Sequence, residues 1–167
     1  SKLNKKTNFG VATVLSAPVI LDIERYLEFY SQFDVMLHPH YHFSEPFDAN
    51  IMPALFNIRT FPEELFMPAI DNAIKLLKKY NMRNTEKAVS ILKAYRGEHT
   101  LLIDNYNKEF YQQVKAQTLY RDKFMHSNRS LGDLYKLLNS DVSEWYDSID
   151  AEEQYARRFG HINVKNI

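Results

Sequence analysis

Residues able to move a proton or hold a phosphate crowd into one short stretch, Leu119-Tyr120-Arg121-Asp122-Lys123-Phe124-Met125-His126-Ser127-Asn128-Arg129. Asp122 and His126 are four apart and share one face of a helix. The carboxylate can therefore orient the imidazole through one ring nitrogen and leave the other for proton transfer. Arg121 and His126 are five apart, which sets their directions roughly 140° from each other on a regular helix. The two converge only if the helix loosens near Ser127, or if a second copy of the chain supplies a facing site. Lys123, Asn128 and Arg129 are the neighbouring groups available to grip a substrate. The bland alternative is a solvated helix end, where Lys123 and Arg129 offset the negative end of the dipole and His126 caps it.

Arg-Asp-x-x-x-His on a late helix of a small helical chain resembles the R-x4-6-H signature of the HEPN superfamily. The phrase Arg-Asp-Lys-Phe-Met-His-Ser is most similar to HEPN proteins of abortive-infection and toxin–antitoxin systems. The resemblance covers the six-residue motif and extends loosely over about residues 60 to 150. It implies a helical bundle, a homodimer, and two facing motifs that cut RNA without a metal or other cofactor. It further implies Arg121, Asp122 and His126 as catalytic residues, RNA as substrate, and an antitoxin or other protein partner. HEPN toxins controlled by a nucleotidyltransferase often carry tyrosine two places after the histidine. Asn128 stands there instead.

Composition sets limits on this reading. The 167 residues suit one domain, spanning 1–167, and 45% hydrophobic with 14% aromatic residues points to a globular chain. With no cysteine, disulfides and thiolate chemistry are excluded. No apolar run approaches the ~20 residues of a membrane helix, and no secretory signal is visible, so we expect a cytoplasmic protein without membrane contact. Basic and acidic residues balance at 21 each, which disfavours broad electrostatic binding of nucleic acid. Lys108, Lys115, Arg121, Lys123 and Arg129 nevertheless outnumber Glu109 and Asp122 in the motif region, so local gripping of RNA is permitted.

Helical periodicity dominates the chain, predicting an all-α, single-domain bundle around one long central helix. Residues 1–15 read as a basic lead-in, mobile or extended, and 161–167 as a tail. A first helix follows Ser16-Ala17-Pro18, and a short helix or turn is expected across Ile51 to Arg59. Thr60-Phe61-Pro62-Glu63-Glu64 signals a second helix to about Tyr80, capped by the Thr60 hydroxyl, bent or split at Pro68 and stopped at Asn81. Asn84-Thr85-Glu86-Lys87 opens the long helix, whose stripe Val89, Leu92, Tyr95, His99, Leu102, Tyr106, Phe110 and Val114 leads on to Leu119. Gly97 inside it marks close packing or a break, and His99 is read as a core or interface residue. Ser130 with Asp133 predicts a capping box, followed by three short helices ending at Gly160. No strand is expected.

His38, His40 and His42 alternate in a segment, 38–50, that Pro39 and Pro46 make a loop. Imidazoles at such spacing could hold a metal, with Glu45 and Asp48 the only nearby carboxylates. No familiar zinc spacing accompanies them, so we expect no metal. The glycines at 10, 97, 132 and 160 form no phosphate loop, and neither a Gly-x-Ser-x-Gly nor a His-Glu-x-x-His occurs. The competing class is a non-catalytic, dimeric helical interaction module that binds a protein or RNA through the same surface, with Tyr106, Phe110 and Tyr111 in the contact.

Overall fold

The computed structural model describes residues 9–41, 54–124 and 130–160. Strand β1 (Phe9–Val14) leads into α1 (Ala17–Leu21) and α2 (Ile23–Tyr30), and the chain returns as β2 (Val35–His40). The two strands pair in parallel, Ala12 beside His38 and Thr13 beside Pro39. The fold is thus mostly helical rather than all-α. The expected lead-in contains β1, and His38 and His40 belong to β2 rather than to a loop. Each strand is six residues long, too short for its alternation to stand out, and Pro39 disguises β2. Proline is tolerated there because the hydrogen bonds with β1 do not need its missing N–H.

The first helix begins behind Ser16 as the sequence predicts, but it is interrupted at Asp22, which opens α2. Residues 54–56 and 58–60 form two 3₁₀ turns. Thr60 does not cap the next helix. Its hydroxyl is buried and donates back to the carbonyls of Asn57 at 2.9 Å and Ala54 at 3.2 Å, so α3 (Glu63–Tyr80) starts instead behind Pro62. Helix α3 continues through Pro68 as one element and ends at Asn81, whose φ of 45° is the expected left-handed stop.

The expected long helix is two helices. Helix α4 (Thr85–Leu102) passes through a 3₁₀ turn at Ile103–Asn105, and α5 (Lys108–Phe124) starts afresh. Asn107 explains the restart, since its side-chain oxygen accepts from the Phe110 N–H at 2.9 Å, as a helix N-cap does. The break is hidden in the sequence because Leu102, Tyr106, Phe110 and Val114 keep a spacing of four across it. Three short helices follow, α6 (Leu131–Leu138), α7 (Ser140–Ser148) and α8 (Glu152–Phe159). The capping box of Ser130 and Asp133 opens α6, and the Asn139 side chain accepts from Val142 N–H at 3.0 Å to open α7.

One apolar cluster joins these elements, with Leu15, Ile20, Leu27, Leu37, Phe66, Leu92, Tyr95, Val114, Tyr135 and Val142 all buried in it. His99 belongs to this core as expected. It is 1% exposed, its ring is stacked on Phe66 at 3.9 Å, and Nε2 lies 2.8 Å from the Phe61 carbonyl. Helix α8 buries no residue and leans on α5 through a Tyr120–Phe159 stack at 4.4 Å.

Gly97 is neither a break nor a close-packing point: it is exposed within α4, and a Cβ there would have no atom within 4 Å. Gly97→Ala should therefore stabilise the protein by about 0.5–1 kcal/mol through helix propensity and unfolded-chain entropy. Thermal unfolding followed by circular dichroism should show a midpoint raised by a few degrees. An unchanged or lowered midpoint would contradict the open environment of this residue.

Candidate functional site: the corner between α5 and α6

Arg121, Asp122 and Lys123 stand in the last described turn of α5, the first two half-buried and Lys123 exposed. His126, Asn128 and Arg129 lie outside the described residues, so the expected Asp122–His126 contact does as well. Asp122 has a partner the sequence did not suggest. Its Oδ2 accepts from the backbone N–H of Leu131 at 3.0 Å, at the first residue of α6. That N–H is one of the donors a helix start leaves without an internal partner. Residues nine apart along one straight helix would be separated by about 13 Å. The 3.0 Å bond shows that no straight helix runs from Asp122 to Leu131.

Two carboxylates therefore meet the start of α6. Asp133 accepts from Ser130 N–H at 3.1 Å and from the Ser130 hydroxyl at 2.8 Å, while Ser130 Oγ accepts from Asp133 N–H at 3.0 Å. Their electrostatics differ. Burial raises the Asp122 carboxyl above its ordinary value, against the lowering effect of the Leu131 N–H, with Asp133 raising it further and Arg121 opposing. Asp133 is held below the ordinary value by its bonds to Ser130.

A third polar tie joins α5 to α7. Lys115 is buried, and its Nζ donates to the Tyr146 carbonyl at 2.7 Å and lies 3.4 Å from that of Asp147. The ammonium also sits 4.7 Å from the centre of the Tyr146 ring. This places a cation on the negative end of α7, where the last carbonyls lack helical partners. Burial lowers the Lys115 pKa, and the nearby Asp147 and Asp150 partly restore it. Lys115 thus leaves the set of basic groups that the sequence offered to RNA.

Two grooves border the corner. One, of about 460 Å³, lies between α5, α6 and α7, with Lys115 and Lys136 outnumbered by Asp133, Asp147, Asp150 and Glu152. The other, of about 580 Å³, is lined by Phe56, Leu131, Leu134 and Leu137 beside Asp122, and Leu137 is 69% exposed. The surroundings are acidic on one side and apolar on the other.

Other sequence candidates fall elsewhere. Tyr106 and Phe110 are buried and stacked at 4.7 Å, and the Tyr111 hydroxyl donates to the Thr60 carbonyl at 3.0 Å. The aromatic contact surface expected of an interaction module is therefore part of the packed interior. His38 and His40 are exposed on β2, and His42 lies outside the described residues. No helix among the described residues is long and apolar enough to cross a membrane.

The Leu131 bond predicts opposite outcomes for two Asp122 substitutions. Asp122→Ala leaves the half-buried N–H without its acceptor and should cost about 1–3 kcal/mol. Asp122→Asn keeps an acceptor and removes a charge that burial disfavours, so it should match or exceed wild-type stability at pH 7. A raised folded pKa means that the wild-type side chain contributes most stability at low pH and loses it as pH rises through that pKa. The advantage of Asn should thus shrink on acidification toward pH 3. Urea unfolding at both pH values tests this, and equal losses for Ala and Asn would contradict it.

No protein-family model, curated protein or solved structure matches this chain.

Proposed function

We propose that this protein is a metal-independent ribonuclease of HEPN type, acting in prokaryotic defence or as a toxin, with Arg121 and His126 as its working pair. What supports this reading is the Arg121-Asp122-x-x-x-His126 spacing in the sequence, with Arg121 in the last described turn of α5 beside the Asp122–Leu131 hydrogen bond at 3.0 Å. Arg121 grips the scissile phosphate, since a guanidinium fork matches phosphate oxygens and stabilises the charge that builds on them. His126 takes the proton from a ribose 2′-hydroxyl or returns one to the leaving 5′-oxygen. The products are a 2′,3′-cyclic phosphate and a 5′-hydroxyl, and DNA is spared for want of the attacking group. Asp122 serves chiefly to hold the corner, and Lys123, Asn128 and Arg129 contact the RNA. A homodimer would bring two such corners together, and an antitoxin would silence them in the cytoplasm.

A second reading, a non-catalytic interaction module, is favoured by the apolar groove around Leu131, Leu134 and Leu137 and by the acidic groove beside it. Neither surface attracts a phosphate backbone. A module would use the apolar groove for a protein helix or strand and leave RNA uncut.

Purified His126→Ala should cleave RNA roughly 10²–10⁴-fold more slowly than wild type while melting at nearly the same temperature. Arg121→Lys keeps charge but loses the planar fork, so it should also be seriously impaired. Asp122→Asn should lose less, and EDTA should leave the wild-type rate intact. Wild-type cleavage by His126→Ala would reject the ribonuclease reading. Absence of any RNA cleavage, with a protein partner captured through Leu134 and Leu137, would establish the module.

A further inference from the structure

The two edges of the small sheet are treated differently. The outer edge of β2 is closed: Leu37 N–H donates to the Arg83 carbonyl at 3.0 Å, and the Asn84 side chain donates to the Leu37 carbonyl at 2.7 Å. Pro39, which has no N–H, stands on the same edge. Among the described residues, no strand pairs with the outer edge of β1, where the Val14 carbonyl accepts from the Ser16 N–H at 2.9 Å. Leu15 N–H donates to the His40 carbonyl at 3.1 Å, so by alternation the N–H groups of Gly10, Ala12 and Val14 point away from β2. Their side-chain face is exposed too, with Val14 45% accessible. Proteins protect open edges with lysine, proline, bulges or inward charges, and Phe9-Gly-Val-Ala-Thr-Val14 carries none of these. Parallel strands are also normally covered on both faces.

We infer that β1 pairs antiparallel with β1 of a second copy of this chain, about a two-fold axis at Ala12, giving a four-stranded sheet ordered β2-β1-β1-β2. The strand is self-complementary in that register. Ala12 faces Ala12, and Gly10 faces Val14 of the other copy, so the bulkiest exposed side chain meets the smallest. The His38 ring lies over Gly10, where a Cβ would come within 2.1 Å of it, and so offers Val14 of the second copy a flat surface. The strand carries no charge, so two copies meet without repulsion. The opposed Ala12 residues can exchange two N–H···O=C bonds, and each Gly10–Val14 pair adds one from the Val14 N–H to the Gly10 carbonyl. The area is small for a stable interface, so association is expected to be weak, strengthening only at high protein concentration. This interface is independent of the ribonuclease reading and lies on different elements from Arg121.

The chain has no cysteine, which gives a register-specific test. Opposed residues in a hydrogen-bonded antiparallel pair have Cα atoms about 5.5 Å apart, within disulfide range. Ala12→Cys should therefore form a covalent dimer under a glutathione redox couple much faster than Lys136→Cys, an exposed control on α6. In sedimentation equilibrium, the wild type should self-associate reversibly, to a dimer through β1 alone or to a larger species where the Arg121 corner also pairs. Val14→Lys and Ala12→Pro should each weaken that dimer by about tenfold or more, roughly 1.4 kcal/mol or greater. Circular dichroism should confirm an unchanged fold. Crosslinking of Ala12→Cys no faster than the control would overturn the proposal. A folded Val14→Lys protein that self-associates with the same stoichiometry and affinity as wild type would do the same, placing self-association elsewhere.

Discussion

His99 is the fastener on which the rest of the packing depends. Its ring is stacked face to face on Phe66, 3° from parallel, and Nε2–H donates to the Phe61 carbonyl. One side chain from the last turn of α4 thus fixes both the entry to α3 and its first buried aromatic. Phe61 in turn packs against Tyr135 of α6 and Trp145 of α7, at ring separations of 5.8 and 4.8 Å. Losing the imidazole would leave the buried Phe61 carbonyl without a donor as well as opening a cavity, and each defect costs on the order of 1–3 kcal/mol or more. The N-terminal and C-terminal halves of the chain meet at this contact.

The later helices share the apolar cluster through Val114, Leu131, Tyr135 and Val142, and buried polar groups add further ties between them. Lys115 reaches the end of α7, Asp122 reaches the start of α6, and the Tyr135 hydroxyl donates to the Leu55 carbonyl. Each tie answers a backbone group that lies at a helix end or in a turn. Their value is mainly geometric: a made bond contributes little net, whereas a broken one exposes the full desolvation cost of the partner. The corner that carries Arg121 is consequently specified in direction, because α5 and α6 cannot shift past each other without orphaning the Leu131 N–H. The same economy limits the chemistry on offer. Lys115, drawn inward as a structural cation, no longer adds to a phosphate-binding surface, and the groove beside it is left acidic. The proposed RNA binding would depend on contacts at the corner itself, not on a broad basic face.

Local signals in the sequence determined several features outright. The capping box of Ser130 and Asp133, the left-handed stop at Asn81 and the core position of His99 each follow from residue type and spacing over a few positions. The Arg121–His126 spacing also belongs to the sequence, as does the clustering of ionisable groups around it. What only the tertiary structure decided involves distant partners. Thr60 looks like a cap but turns its hydroxyl back to Ala54 and Asn57, because the buried 3₁₀ turns need a donor there. The division of α4 from α5 is invisible where the apolar stripe keeps its period of four, and Asn107 decides it through one side-chain bond. The strands could not be read because pairing is a property of two segments, and neither six-residue segment announces the other. Asp122 shows the same limit: its Oδ2 accepts from an N–H nine residues onward, a partner that its spacing to His126 did not suggest. Spacing along a chain reports which groups share a helix face, and only folding reports which buried donor reaches them first.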